Sequence, residues 1–145
     1  MPDFQLRHAS GKDLDALVLL ENRCFTEDRL SRRSFRRFLE MPRDRLIVAE
    51  AGEDLVGYCL VLMSAATRLA RIYSIAVSPF VRGQGVGEKL VRQAELEAAE
   101  AGRIIMRLEV REDNRGAINL YKRLGYRQFG WLRWMSSNCS PPWKS

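Results

Sequence analysis

The chain has few of the residues that build metal centres and disulfide frameworks. Its 145 residues include three cysteines and one histidine. Cys24, Cys59 and Cys139 lie far apart in the sequence and form no C-x-x-C pair, and His8 has no second histidine with which to share a metal ion. We therefore expect neither a disulfide framework nor a bound metal.

Long apolar runs and export signals are also missing. No stretch approaches the ~18 to 20 consecutive apolar residues that a membrane-spanning helix needs. The N-terminal segment carries Asp3, Arg7, Lys12 and Asp13 and has no apolar core of the kind found in signal peptides. These observations predict a cytoplasmic protein without a membrane partner.

Internal repeats and low-complexity segments are absent from the sequence as well. The length suits one domain, and we expect a single domain over residues 1–145 that buries a sizeable core. Residues 136–145 include two prolines, which predicts an irregular tail. The net charge of +6 indicates an anionic ligand or partner.

The most informative stretch is glycine-rich and extends from Arg82 to Gly87. An apolar segment suited to a strand precedes it, and apolar residues at helical spacing follow at Val86, Leu90 and Ala94. Glycines let a ligand approach the backbone, and the free amides of a helix start carry the positive end of its dipole. Such an arrangement binds phosphate groups.

Two common phosphate-binding loops do not fit this stretch. The dinucleotide fingerprint requires G-x-G-x-x-G, whereas Gly83, Gly85 and Gly87 form G-x-G-x-G. The P-loop requires Gly-Lys followed by Ser or Thr, whereas Glu88 follows Gly87. A tight strand-to-helix turn without a ligand is the structural alternative.

The remaining patterns predict an α+β fold with a mixed sheet, in the order β-α-α-β-β-β-α-β-α-β. Helical spacing and caps predict helices over 10–25, from near 31, over 86–101 and over 114–124. Alternating or continuous apolar runs predict strands over 4–8, 46–50, 55–63, 69–77, 104–110 and 126–134.

The glycine-rich loop resembles the R-x-x-G-x-G loop of the GNAT family of N-acetyltransferases, where it holds the pyrophosphate of acetyl-coenzyme A. The predicted order of elements is similar to that fold over residues 7–129. Leu-Glu-Val-Arg at 108–111 and Leu-Gly-Tyr at 124–126 further resemble the bacterial ribosomal-protein alanine N-acetyltransferase group. The resemblance implies an enzyme that uses acetyl-coenzyme A (acetyl-CoA) as cosubstrate and no metal.

The resemblance also implies where the cosubstrate binds. In that family two strands splay apart, and the pantetheine arm enters the gap like an added strand. Ile75, Ala76 and Val77 would contact pantetheine, with an amide near Val77 polarising the acetyl carbonyl. Asn114 would make a further contact, or act as a helix N-cap. The pyrophosphate would lie on the amides of the loop residues Arg82, Gly83, Gln84, Gly85, Val86 and Gly87.

Glu109 and Tyr121 are the catalytic residues that the resemblance implies. Acyl transfer to an amine needs an uncharged nucleophile and a proton for the departing thiolate. Glu109 would act as base through a water molecule, and Tyr121 would act as acid. The structural alternatives are a core tyrosine on an apolar helix face and an exposed or paired glutamate on a strand.

The predicted acceptor is a primary amine, with a protein N-terminal α-amine favoured. An α-amine has a pKa of ~7.7 to 8 and loses its proton near neutral pH far more readily than a lysine at ~10.4. The alternatives are a small-molecule amine acetyltransferase, an acyl-CoA-binding module without activity, and a basic RNA-binding domain. The last would use the five arginines between Arg29 and Arg37, which otherwise form a solvated helix face or a patch for an acidic acceptor.

The chain departs from the family pattern at its C-terminus. Family members continue into a seventh strand that helps to wall the acceptor site, whereas the residues after Trp134 include two prolines. We therefore expect a truncated or altered last strand, with Phe129, Trp131 and Trp134 partly uncovered. An open strand edge of this kind predicts a homodimer formed through the C-terminal strand.

Overall fold

The computed structural model describes residues 3–139. Within them, seven strands form one mixed sheet and four α-helices pack on its two faces. The helices are α1 (Leu14–Cys24), α2 (Arg32–Glu40), α3 (Val86–Glu100) and α4 (Arg115–Arg123). The strands are β1 (Gln5–His8), β2 (Arg45–Ala51), β3 (Asp54–Met63), β4 (Leu69–Val77), β5 (Ile105–Glu109), β6 (Arg127–Gly130) and β7 (Arg133–Ser136).

The order of strands in the sheet is β1-β2-β3-β4-β5-β7-β6. All neighbours are antiparallel except β4 and β5, which are parallel. These two strands pair only from Leu69 opposite Ile105 to Ile72 opposite Leu108. Because β4 continues to Val77, its edge over 73–77 has no partner on the β5 side within the described residues. The predicted α+β fold with diverging strands is confirmed.

Two helix starts follow signals that are visible in the sequence. The backbone amide of Ser10 donates to Asp13 Oδ2 at 2.8 Å before α1, across a short 3₁₀ turn. Ser31 Oγ accepts from the amide of Ser34 at 3.1 Å before α2. Each bond satisfies an amide that has no partner inside its helix. The predicted starts near 10 and 31 are therefore confirmed.

The apolar core is divided between the two faces of the sheet. One face packs against α3 and α4, and its fully buried side chains include Ile47, Leu90, Met106 and Leu108. The other face packs against α1 and α2 through Leu17, Phe35, Tyr58 and Leu60. In the part of the chain that the structure describes, α1 and α2 pack mainly on β2, β3 and β4. The same face of β5, β7 and β6 is therefore largely uncovered.

Gly57 on β3 lies against side chains of α3. A Cβ atom there would lie 3.1 Å from Ala76 O, Leu90 Cδ1 and Val86 Cγ1. Because the backbone oxygen and two buried side chains cannot all move away, we expect Gly57→Ala to lower the free energy of unfolding by about 1–3 kcal/mol. Chemical denaturation measures this change. Gly11→Ala is the matched control, since its Cβ would meet nothing within 4 Å, and an equal loss in both variants would contradict the packing argument.

The C-terminal region differs from the prediction. The sequence predicts one strand over 126–134, whereas the structure has β6 and β7 joined by a turn in which Leu132 has a φ of +62°. The single continuous strand is therefore wrong. The last strand is short, at four residues, but β7 is present and inserts between β5 and β6. An apolar pattern continues through both short strands, so periodicity alone does not reveal the reversal at Gly130.

The new hairpin also changes the exposure of the aromatic residues. Trp134 is buried, which corrects the expectation that it is partly uncovered, whereas Phe129 is 42% exposed and Trp131 is 76% exposed. The predicted irregular tail starts later than expected, because Ser136 belongs to β7, and residues 140–145 lie outside the described part. β6 is an edge strand. Pairing of two copies along that edge stays a prediction.

The α-helices within residues 3–139 have 9 to 15 residues. None of these helices is long and apolar enough to cross a bilayer. The single domain over 1–145 and the cytoplasmic location stay predictions.

Candidate active site

The end of β4 presents backbone groups to the gap beside β5. The amide of Ser78 donates to Val56 O at 2.8 Å, so at this residue the polar groups face β3. Successive residues of a strand alternate in direction, which turns the N–H and C=O of Val77 toward the gap. Cys24 Sγ and Arg82 Nε donate to Val77 O at 3.4 and 3.3 Å. The same alternation directs the backbone N–H and C=O of Ile75 toward the gap.

Ala76 differs from its two neighbours in this respect. It pairs with Tyr58 on β3, and the alternation directs its backbone polar groups to that strand. Its side chain is buried among the residues that pack against α1 and α2. Of the three β4 residues predicted to contact pantetheine, Ile75 and Val77 therefore direct backbone polar groups to the gap, and the Val77 carbonyl there already accepts from Cys24 and Arg82.

A β-bulge explains why β4 turns away from β5. Leu60 pairs with Ser74 and Val61 pairs with Ile72, so Tyr73 is an extra residue on β4. A bulge bends its strand and increases the local twist. The bend coincides with the end of the β4–β5 pairing at Ile72. The sequence reading did not predict the bulge, and no glycine or proline marks it.

The glycine-rich loop is open on its outer side. Gly83 and Gly85 have φ values of +83° and +85°, which residues with a side chain rarely adopt. A Cβ at either position would meet nothing within 4 Å, so space for a ligand adjoins both backbones. Gly85 is the N-cap of α3 and has no side chain to cap the first amides. These amides are therefore available to an anion.

The remaining residues of the glycine-rich loop place the anion site next to the gap. Val86 is buried and fixes the start of α3 on the core. A Cβ on Gly87 would lie 3.6 Å from Val77 Cγ2, so the helix start and the end of β4 are close together. Arg82 is exposed beside them. Gln84 Oε1 is buried without a hydrogen-bond partner among the described residues, which leaves an acceptor in the loop.

Glu109 is the last residue of β5, just past the final pair with β4. Its side chain is 51% exposed, and Arg71 Nη2 donates to its Oε1 at 3.1 Å. The structure therefore places this carboxylate at the mouth of the gap, on the face that α1 and α2 share. This environment matches the structural alternative of an exposed or paired glutamate, and the catalytic role of Glu109 stays a prediction.

Tyr121 lies on α4 and is 3% exposed. Its ring packs on Tyr126, with 5.4 Å between centroids. Burial raises the pKa of Tyr121, because an ionised phenolate would lose its hydration, so the hydroxyl keeps its proton in the working pH range. No hydrogen bond from this hydroxyl to another described residue is formed. Tyr121 is thus a core tyrosine, as the structural alternative stated. Core packing does not require its hydroxyl.

Asn114 caps α4, as the alternative for this residue proposed. Its Oδ1 accepts from the amide of Ala117 at 3.2 Å. A contact between Asn114 and pantetheine stays a prediction.

Glu21 is a buried glutamate beside the gap that the sequence did not indicate as a site residue. Glu21 on α1 is 1% exposed; its Oε1 accepts from the Tyr58 hydroxyl at 2.6 Å and its Oε2 from the amide of Leu30 at 2.7 Å. The Tyr58 hydroxyl also lies 2.6 Å from Ser74 Oγ. This network fixes the α1–α2 connection to β4. The available signal was a carboxylate at position i+4 from the apolar Leu17, which marks the buried side of α1.

A cavity at the other edge of the sheet does not suit a diphosphate. It has a volume of 390 Å³ and is lined by His8, Arg45, Gln93, Glu97, Glu100 and Ala101. His8 is the last residue of β1, and its Nε2 lies 2.6 Å from Glu97 Oε1. Two carboxylates in the lining would repel a diphosphate. We therefore assign the site to the gap and the glycine-rich loop.

Comparison with known proteins identifies the family of the chain. The profile of the acetyltransferase (GNAT) family matches residues 14–126. The N-alpha-acetyltransferase RimI of Mycobacterium tuberculosis is 34% identical over 107 residues, which cover 69% of this chain and 63% of that protein. A putative ribosomal protein bS18 alanine N-acetyltransferase of Bacillus subtilis is 32% identical over 125 residues, which cover 86% of this chain and 82% of that protein.

A solved structure shows the same fold. It is the paia N-acetyltransferase of Thermoplasma acidophilum in complex with coenzyme A, with a TM-score of 0.84, 16% identity, and coverage of 93% of this chain and 99% of that one. The chain spans less than two thirds of the length of the Mycobacterium relative, at 63%. The predicted resemblance is confirmed by the profile, the fold and these relatives together. The chain belongs to the acetyltransferase (GNAT) family.

Proposed function

We propose that the chain transfers the acetyl group of acetyl-CoA to a primary amine, with a protein N-terminal α-amine as acceptor. The observation that carries this proposal is the unpaired edge of β4 over 73–77, which opens beside the positive end of α3. An extended pantetheine arm can add to such an edge as a strand does. A diphosphate fits the open amides over 82–87. Coenzyme A in the similar Thermoplasma acidophilum structure supports this use.

Each binding residue has a defined part in this proposal. The backbone of Ile75 and Val77 faces the gap and would bind pantetheine, while Ala76 supports it from the core. The Val77 amide would donate to the acetyl carbonyl and stabilise the charge that develops on its oxygen. Arg82 would add a cation at the diphosphate, and Asn114 a polar contact at the start of α4.

The chemistry requires one proton to be removed and another to be supplied. Acetyl-CoA supplies the acetyl thioester, whose carbon–sulfur bond breaks as the carbon–nitrogen bond forms. Glu109 would take the proton of the amine through a water molecule, since its carboxylate lies at the mouth of the gap. Tyr121 would hold the proton for the leaving sulfur on its hydroxyl, which burial keeps protonated.

Two observations favour a polypeptide N-terminus as acceptor. An α-amine with a pKa of ~7.7 to 8 demands less of a base than a lysine does. The 51% exposure of Glu109 on an open face lets the end of a long chain reach it. The names of the Mycobacterium and Bacillus relatives agree with this acceptor class.

The test is release of free coenzyme A thiol from acetyl-CoA with a panel of peptides that differ in their first residue. The matched controls are the same peptides with blocked N-termini and an internal lysine. We expect turnover with free α-amines and none with blocked peptides. Turnover with polyamines or amine antibiotics alone would instead indicate a small-molecule enzyme. Binding of acetyl-CoA without turnover on any amine would indicate a binding module.

A further inference from the structure

Three arginines lie on the face of β5, β7 and β6 that the helices leave open, and a fourth lies beside them on β4. Arg71 pairs with Arg107, Arg107 with Met135, and Met135 with Arg127, so three arginines stand in one row across four strands. Paired residues of neighbouring strands project on the same side of a sheet. We call Arg71, Arg107, Arg127 and the adjacent Arg133 the arginine platform.

Burial of the alternate residues confirms which face the platform occupies. Met106, Leu108 and Trp134 are buried in the core on the α3 and α4 side. Because successive residues alternate, Arg107, Arg133 and the residues paired with them face the other way. Arg107 is half-buried, and Arg127 and Arg133 are exposed.

The platform carries little compensating negative charge. In the strand register, Arg133 of β7 lies opposite Glu109 of β5. Glu109 is the one carboxylate on this face of β5, β6 and β7 within residues 3–139. Its partner in the structure is Arg71. Among the described residues, Arg107, Arg127 and Arg133 form no ion pair. The positive charge therefore surrounds the carboxylate to which we assign the base.

The positive surface continues onto α2. The Arg71 guanidinium lies 5.4 Å from the centroid of the Tyr73 ring, which lies 5.7 Å from Phe38. The Arg37 guanidinium lies 5.1 Å from the Phe38 centroid. The other arginines of α2 are exposed as well, and one of them, Arg32, is ion-paired with an aspartate of α1. The gap thus opens onto a basic surface on two sides.

We infer that the acceptor is an acidic polypeptide, whose N-terminal amine reaches Glu109 while carboxylates in its next residues bind the arginine platform. This inference rests on the proposed function. Strands lie ~4.8 Å apart, so the three steps from Arg71 to Arg127 span about 14 Å, or roughly four residues of an extended peptide. Aspartate or glutamate at about positions 2 to 6 of the acceptor matches this span.

Other anionic partners fit the platform less well. A small amine with a single acidic group would occupy one arginine and leave the others without a partner. A nucleic acid would bring phosphates against Glu109, which like charge disfavours. An acidic peptide avoids both problems. Its amine approaches Glu109, and its carboxylates follow along the row of arginines.

The experiment measures kcat/KM for three peptides of equal length with the same first residue and glutamate, glutamine or lysine at alternate positions from 2 to 6. We expect the glutamate peptide to exceed the glutamine peptide about 10-fold, as two or three exposed ion pairs would give. The lysine peptide should be the poorest. The preference should fall to about threefold or less in 0.5 M salt, because screening weakens exposed pairs.

One pair of variants locates the preference on the platform. Arg127→Glu, on the exposed edge strand, should reduce the ratio of glutamate to glutamine peptide about threefold or more. Lys12→Glu changes the net charge equally but lies after β1 at the opposite edge of the sheet, and it should leave that ratio unchanged. A binding curve for acetyl-CoA on each variant shows that both remain folded.

The outcomes separate this inference from the proposed function. Turnover of all three peptides within twofold of one another would overturn the acidic acceptor and leave the N-acetyltransferase intact. Bound acetyl-CoA with no turnover of any peptide would overturn the proposed function and this inference with it. Salt-dependent binding of a 20-nucleotide polyuridine that Arg127→Glu weakens, without a charge preference among peptides, would assign the platform to nucleic acid instead.

Discussion

Replacing Tyr121 by phenylalanine is expected to lower kcat about 100-fold, which is the usual loss when a general acid is removed. Tyr121 is 3% exposed, its hydroxyl keeps its proton, and this hydroxyl forms no hydrogen bond with the described residues, so its removal should leave the free energy of unfolding nearly unchanged. Steady-state kinetics and chemical denaturation of the same variant measure the two quantities. Because burial raises the pKa of Tyr121, wild-type kcat should not fall between about pH 7 and 9 through loss of this proton.

Tyr126 provides the matched control for this prediction. Its hydroxyl donates to Glu95 Oε2 at 2.7 Å, and both groups are buried. Tyr126→Phe should therefore lower the free energy of unfolding by about 1–3 kcal/mol and change kcat little. An unchanged kcat in Tyr121→Phe, or a loss of stability without a loss of rate, would show that Tyr121 is a packing residue alone.

Replacing Glu109 by glutamine should also lower kcat, again by about 100-fold, because an amide cannot accept the proton of the attacking amine. The side chain is half exposed and bonds to Arg71, and an exposed pair of this kind contributes little to stability, so the fold should be preserved. The loss should be largest near neutral pH and smaller at about pH 9, where an α-amine is already deprotonated. A pH profile of both proteins with one peptide measures this.

Glu112→Gln serves as the control for the change of charge. Glu112 lies three residues further along the chain, and its Oε1 accepts from Trp131 Nε1 at 2.7 Å outside the gap. An equal reduction of kcat in both glutamine variants would mean that negative charge near β5, rather than a base at Glu109, supports turnover.

The sequence predicted the parts of the fold that local chemistry determines. The glycines at 83 and 85 predicted an open loop because positive φ values there exclude other side chains. The apolar run over 69–77 predicted β4 with its observed bounds. Ser31 and Asn114 predicted helix starts because their side chains satisfy free amides.

The parts that depend on pairing between distant segments were not predictable in this way. The bulge at Tyr73 arises from the register between β3 and β4, which no local pattern specifies. The reversal between β6 and β7 places β7 inside the sheet, next to β5, and leaves β6 at the edge of the sheet. The arginine platform exists because four strands align Arg71, Arg107 and Arg127. Arg71 and Arg127 are 56 residues apart in the sequence.

Calorimetric titration of the folded protein with acetyl-CoA tests the central claim most directly, with Gly85→Val and Gly102→Val alongside. Both glycines have positive φ, at +85° and +82°, so each substitution strains the backbone comparably, by about 1–2 kcal/mol. Gly85 starts α3 in the diphosphate site, whereas Gly102 follows its other end. The account predicts one saturable site, weakened about 10-fold or more by Gly85→Val and unchanged by Gly102→Val. Folded wild-type protein that binds neither acetyl-CoA nor coenzyme A would contradict it.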